Sequence, residues 1–273
     1  MLEAVHRDNN GRVLTVISPA KSLDFESPLA TRKHTLPTML DRSSELVSVM
    51  VEKSPDDLQT LMGISRPLAE ANFERFQDWD PTFTPKNARP AVLAFAGDVY
   101  LGMEASTFSE RDFTHAQKTL RILSGLYGLL RPLDLMQPYR LEMGTRLATS
   151  AGANLYEFWG DTITHRIQED VAASPGTAAL VNLASNEYFG AVRGELLDAR
   201  VISPVFLDAK ADGDYRIVSF FAKRARGAMA GWMIRERIKS VRALTEFDGM
   251  GYRYSADRSR PDTPTFVRRD GGC

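Results

Sequence analysis

Val13-Leu14-Thr15-Val16-Ile17-Ser18-Pro19-Ala20-Lys21 is the stretch on which the fold turns. Its first five residues are apolar or β-branched without interruption, the pattern of a buried strand. Pro19 breaks that strand, and Lys21 projects from the loop at its C-terminal end, where the ligand sites of open α/β sheets collect. The twelve residues ahead of it are polar and charged and run out in Asn9-Asn10-Gly11-Arg12. They are expected to be a disordered extension (1–12) before one domain spanning 13–273.

Beyond the loop, apolar positions at helical spacing predict a helix within Leu36–Lys53, and Ser54-Pro55-Asp56-Asp57 caps a second. A third helix carries Leu68, Ala69, Phe73 and Phe76 to about Trp79. Ala91–Phe95 is expected to be a buried strand. Ser109-Glu110-Arg111-Asp112 opens a helix running to about Leu123, and Asp161–Ala172 makes another. Later strands are expected at Ala179–Leu183, Val201–Phe206 and Tyr215–Phe221, followed by a basic helix to about Val241 and one short strand near Phe266-Val267. Strands separated by helices indicate a mixed α/β fold with a central sheet flanked by helices. No repeat, low-complexity tract or long linker divides the chain.

The composition is that of a globular protein, with 43% hydrophobic and 25% charged residues. The start carries charges where a secretory signal needs an apolar stretch, and no run reaches the roughly 20 apolar residues of a membrane span. Cys273 is the single cysteine, so no internal disulfide or thiolate metal site can form. The cytoplasm is the expected location. A formal charge of −1 argues at first against polyanion partners. The charge is segregated, however: residues 214–273 hold thirteen Lys/Arg against seven Asp/Glu, a net +6, which leaves −7 on the rest.

Three segments have the character of nucleic-acid contacts. Leu58–Asn72 has the pattern of a helix-hairpin-helix, with Met62-Gly63-Ile64 as the hairpin and Ser65 and Arg66 opening the second helix. Such a hairpin can bring backbone N–H groups at a helix N-terminus to a phosphate; the alternative is an ordinary glycine cap between two amphipathic helices. A second hairpin candidate is Leu123–Pro132, where Gly125 and Gly128 bracket Leu126 and Tyr127 and Arg131 follows. Its alternative is a tight loop packed into the core. Gln137–Arg146 gathers Tyr139, Arg140, Glu142 and Arg146 on a Pro- and Gly-marked loop, a placement that suits binding. Lys223-Arg224-Ala225-Arg226 opens the basic helix, whose positions 224, 228, 231 and 235 share a face. A surface-facing basic stripe suits phosphates; a solvated helix face is the alternative.

Conventional catalytic signatures are missing. His6, His34, His115 and His165 have no partner at metal-ligand spacing, and no phosphate-binding or dinucleotide glycine loop is present. No metal and no cofactor are expected. Lys21 with Asp24 after the first strand, and Asn182, Ser185, Asn186 and Glu187 after Ala179–Leu183, stand at the kind of edge where an α/β site forms. A lysine desolvated there can act as a nucleophile.

Several of these blocks together resemble the YaaA peroxide-stress protein family: Val13–Phe25, Leu123–Asp134, Gln137–Gly144, Val181–Phe189 and Phe221–Gly227, in order over about Val13–Phe266. Two departures stand out. Residues 1–12 precede the family's usual start, which hints at a misassigned start codon, and Asn186 stands where an acidic residue is expected.

The resemblance implies a bacterial cytoplasmic protein that limits free iron under hydrogen peroxide, with a single-domain α/β fold, a positively charged cleft and DNA binding through a helix-hairpin-helix. It also suggests a relation to proteins acting on modified nucleobases, with Lys21, Tyr139, Glu142 and Lys223 lining the pocket. The leading expectation is a monomer that binds DNA without sequence specificity through Met62, Gly63, Ile64, Ser65, Arg66, Gly125, Gly128, Arg131, Tyr139, Arg140, Lys223, Arg224 and Arg226. The competing one is an enzyme on nucleobases or nucleic acid using Lys21 and Glu142. Direct iron sequestration lacks a ligand cluster to support it.

Overall fold

The strand expected at the start of the domain forms and lies in the middle of a sheet, which fixes the architecture around it. The computed structural model describes residues 13–173, 179–210 and 213–269; the 1–12 extension and Cys273 lie outside them. In chain order the elements are β1 (Val13–Ile17), β2 (Ser22–Leu23), α1 (Leu40–Met50), α2 (Pro55–Met62), α3 (Arg66–Gln77), β3 (Arg89–Pro90), α4 (Ala91–Ala94), β4 (Phe95–Ala96), α5 (Asp98–Met103) and α6 (Glu110–Thr119). There follow β5 (Leu120–Ser124), β6 (Gly128–Leu130), β7 (Leu135–Met136), α7 (Leu155–Trp159), α8 (Thr162–Ala172), β8 (Ala179–Leu183), α9 (Asn186–Phe189) and β9 (Arg200–Ile202). The last are β10 (Val205–Ala209), β11 (Tyr215–Arg216), α10 (Ser219–Arg235), β12 (Arg253–Tyr254) and β13 (Thr265–Arg268).

The main sheet has the order β6-β5-β1-β8-β9. β1 runs parallel to β5 and β8, β8 runs parallel to β9, and β6 returns antiparallel to β5. All five β1 residues are buried, as an uninterrupted apolar strand covered on both faces must be. A second sheet, β11-β10-β13-β12, has a parallel β10–β13 pair at its centre. Phe206, Phe247, Tyr252 and Phe266 pack on it, with ring centroids of Phe206 and Phe266 5.5 Å apart. α10 joins the two sheets: it packs on β1 and β8, on β10, and most extensively on α5. The fold is mixed α/β.

The α5–α10 contact is close because it is built on glycine. A Cβ at Gly227 would sit 1.7 Å from the Val99 carbonyl oxygen, and one at Gly102 would sit 2.1 Å from that of Arg224. The face carrying residues 224, 228, 231 and 235 is therefore largely a packing face and not the surface-facing stripe the sequence suggested. Arg235 reaches across it to the carbonyl oxygens of Met103 and Glu104 and to the Thr107 hydroxyl.

Four expectations are corrected. Ala91–Ala94 is a buried helical turn whose first amides bond to the carbonyls of Asp134 and Pro132, since a short apolar run suits a buried helix as well as a strand. The α6 helix stops at Thr119, and the next residues form β5 against β1. Ser203-Pro204 splits the expected Val201–Phe206 strand into β9 and β10, which belong to different sheets. α10 begins at Ser219, shortening the expected Tyr215–Phe221 strand to β11, and ends at Arg235. Arg237 there takes a left-handed φ of 54°, and the Ile238 amide bonds back to the Met233 carbonyl.

Candidate functional site

From β1 the chain crosses to β5 on one side, and from β8 it crosses to β9 on the other. Neighbouring parallel strands whose connections diverge in this way leave a crevice beyond their C-terminal ends. The crevice is present here as a cleft of about 400 Å³, lined by Ser18–Ser22 after β1, by Leu183, Ser185, Glu187 and Tyr188 after β8, by Ala96–Val99, and by Lys223 and Arg226 of α10.

Backbone and hydroxyl contacts hold its floor. Ser18 Oγ accepts from the Ser185 amide at 2.8 Å and lies 3.3 Å from Ser185 Oγ, tying the two strand-end loops together. The Tyr100 hydroxyl donates to the Ser18 carbonyl at 3.1 Å. Glu187 Oε1 accepts from the Gly144 amide at 3.0 Å, which docks the 137–146 loop against α9. Burial pushes the Tyr188 phenol well above its ordinary range, with Tyr139 and the carboxylates of Glu187 and Glu142 adding to the effect. That phenol stays a neutral donor at any physiological pH.

Lys21 and Glu142, read separately from the sequence as a catalytic pair, meet: Lys21 Nζ lies 2.9 Å from Glu142 Oε2. The other carboxylate oxygen takes Arg140 at 3.2 Å. Of the Lys21 side-chain surface, 63% is open to solvent, so the ammonium keeps most of its hydration. Lys223 and Arg226 also face the cleft, and among the described residues neither has an ion-pair or hydrogen-bond partner. Burial lowers the Arg226 pKa without a compensating carboxylate, though a guanidinium remains charged. The lining residues carry three cations, Lys21, Lys223 and Arg226, and two carboxylates, Asp98 and Glu187.

The sequence profile of the family described as peroxide stress protein YaaA matches residues 13–258. The chain belongs to that family. Two relatives named UPF0246 protein, from Shewanella piezotolerans and Shewanella pealeana, are each 50% identical over 258 residues, covering 94% of this chain and the whole of theirs. The profile begins at the first residue of β1.

In this YaaA-family chain the remaining sequence candidates disperse. Met62, Gly63, Ile64 and Ser65 form the turn between α2 and α3, with Gly63 at a left-handed φ of 60° in open space. Arg66 beside them is held by both Asp56 and Glu70. Gly125 and Gly128 lie inside the β5–β6 hairpin, where Leu126 and Tyr127 are fully buried, so core packing is what the structure gives there. Arg131 pairs with the buried Asp134 at 2.8 Å. Tyr139 is buried with its hydroxyl 2.6 Å from Ser124 Oγ, beneath the cleft and not in its wall. The Arg224 guanidinium lies over Phe220, its Nε buried without a partner.

Asp24 closes a turn by accepting from the amides of Glu26 and Ser27. The Asn182 side chain donates to the Ser203 hydroxyl just after β9 and accepts from the Ala184 amide. Asn186 is the first residue of α9, and the carboxylate that enters the cleft is the next one, Glu187. Sequence reading missed Asp98 and Tyr188. Gly97-Asp98 directly after the apolar Ala91–Phe95 run was the available signal. Among the described residues no group of three or more His, Cys, Asp or Glu side chains could hold a metal ion, and no helix is long and apolar enough to cross a membrane.

Proposed function

We propose that this protein serves in the peroxide-stress response by binding DNA in the cytoplasm, without sequence specificity, at the cleft beyond β1 and β8, and so limits iron-dependent damage to it. The observation that carries the reading is the pair Lys223 and Arg226, two cations three residues apart on α10 that face one cleft with no carboxylate partner among the described residues. Affinity for a phosphate backbone needs cations not already neutralised. Arg66, Arg131 and Arg140 are each committed to carboxylates and contribute little. The α2–α3 turn, read as a helix-hairpin-helix, offers the Arg66 and Leu68 amides as a second contact; Pro67 has none to give. Binding of a labelled duplex, followed by fluorescence anisotropy, weakens with rising salt on this reading. An affinity unchanged between low and physiological salt overturns it.

The 2.9 Å contact between Lys21 and Glu142 favours a second reading, lyase chemistry on damaged DNA. The amine form of Lys21 adds to C1′ of an open-chain abasic sugar, Glu142 relays protons from the nitrogen to the departing hydroxyl, and loss of water gives an imine. Borohydride reduces that imine to a stable cross-link. Trapping on an abasic duplex that disappears in Lys21→Ala supports this; no trapping, or trapping that survives the substitution, removes it.

A further inference from the structure

We infer that Phe220, flanked by Ile217, is a stacking platform at the rim of the cleft for an unpaired base of a DNA strand; the inference rests on the DNA-binding reading above. Phe220, in the first turn of α10, is 47% exposed, and Ile217, just ahead of the helix, is 58% exposed. Single exposed apolar residues are ordinary. These two differ in their surroundings. Arg216 and Lys223 are exposed beside them, and the Arg224 guanidinium sits 5.0 Å from the Phe220 ring centroid. Phe220 lies one turn ahead of Lys223 on the same helix face, and Lys223 lines the cleft.

The neighbouring ring shows that the exposure is not general to this segment. Phe221 is covered by the Arg268 guanidinium at 3.9 Å and so belongs to the second sheet. Phe220 meets Phe221 edge-on, at 5.5 Å and 67°, and is steadied from one side by Arg224. What remains is a supported aromatic face turned to solvent between two free cations. That is the chemistry of a single-strand contact: cations take successive phosphates while an aromatic ring takes a base, whatever its identity. Intact duplex offers no free base face. The cleft beside the platform, about 400 Å³, has the size of a small-ligand pocket and can take one unpaired nucleotide of a strand whose phosphates lie along its rim.

The test compares three labelled DNAs: an intact duplex, the same duplex with one bulged 2-aminopurine, and a single strand. Phe220→Ala is expected to weaken binding to the bulged and single-stranded forms about 5- to 150-fold, the range for loss of one base stack, and to leave intact duplex within about twofold. Wild type quenches 2-aminopurine on binding, Phe220→Ala does not, and Phe220→Trp restores both affinity and quench. Because residue 220 is exposed, an unchanged unfolding midpoint accompanies the loss. Equal affinity and equal quench in wild type and Phe220→Ala overturn the platform while salt-dependent duplex binding still stands. The absence of any salt-dependent binding to all three DNAs removes the underlying reading with it. If Phe220→Ala abolishes sedimentation with phosphatidylserine vesicles and leaves all three DNA affinities unchanged, the exposed face serves a membrane and the platform is overturned.

Discussion

Asp24 shows how one residue can sit in a suggestive sequence position and do something local. Its carboxylate accepts from the Ser27 side chain and from the amides of Ser27 and Glu26, and these bonds bring its pKa from the ordinary 3.8 down to about 2. A carboxyl held lower in the folded state stabilises the fold above its unfolded pKa, and that contribution is lost as pH falls through the folded value. Asp24→Asn should therefore be less stable than wild type near neutrality, with the gap closing between about pH 4 and pH 2 in urea titrations. A gap that persists at pH 2 would contradict this role. The same scale decides Lys21 and Glu142. Both were legible because each follows a proline-marked break, after β1 and within 137–146, and such loops carry function more often than packing. Their mutual distance was not legible, since only the tertiary fold folds the 137–146 loop back over β1. Nor could sequence separate Arg226, free in the cleft, from Arg224, held over Phe220, although they stand two positions apart.

At the scale of elements, α10 and α5 are the sharpest case. The basic count of α10 suggested a solvent-facing stripe, but Gly227 and Gly231 lie on a face that must meet another backbone, and Gly102 of α5 is its counterpart. Gly227→Ala forces the helices apart and is expected to cost about 3 kcal/mol, at the upper end of overpacking penalties. Gly63→Ala adds a methyl into open space and strains only its left-handed backbone, for about 1 kcal/mol. Guanidinium unfolding of the pair checks the order; equal losses would show that the α5–α10 contact yields easily. Helices announced by caps were readable, as with Ser54 and Asp57 for α2 and Ser109 and Asp112 for α6, both closed capping boxes. β5 was not. Leu120, Ile122 and Leu123 prolong the apolar spacing of α6, and what makes the segment a strand is its parallel pairing with β1, a partner no local pattern names.

For the whole molecule, net charge mattered less than where cations remain unpaired. The +6 of the C-terminal sixty residues includes Arg235, Arg237 and Arg268, which bind Thr107, Asp112 and Asp208 and hold the fold together. The free remainder at the cleft is small, so the salt dependence of DNA binding should be modest: a log–log slope of about −2 to −3, with Lys223→Gln reducing it by about 1. A slope near −8 would show that a much larger surface is in use.

The central position of β1 also bears on how the chain is made. Among the described strands β1 leaves the ribosome first, yet the partner on one side, β5, begins at Leu120 and the partner on the other, β8, ends at Leu183. At about 5–20 residues per second, this apolar strand waits roughly five to twenty seconds with neither flank satisfied, and roughly eight to thirty before β8 has been made as well. Until translation has passed β8, Val13–Ile17 is thus an apolar segment without its full set of strand partners, the kind of surface through which nascent chains aggregate.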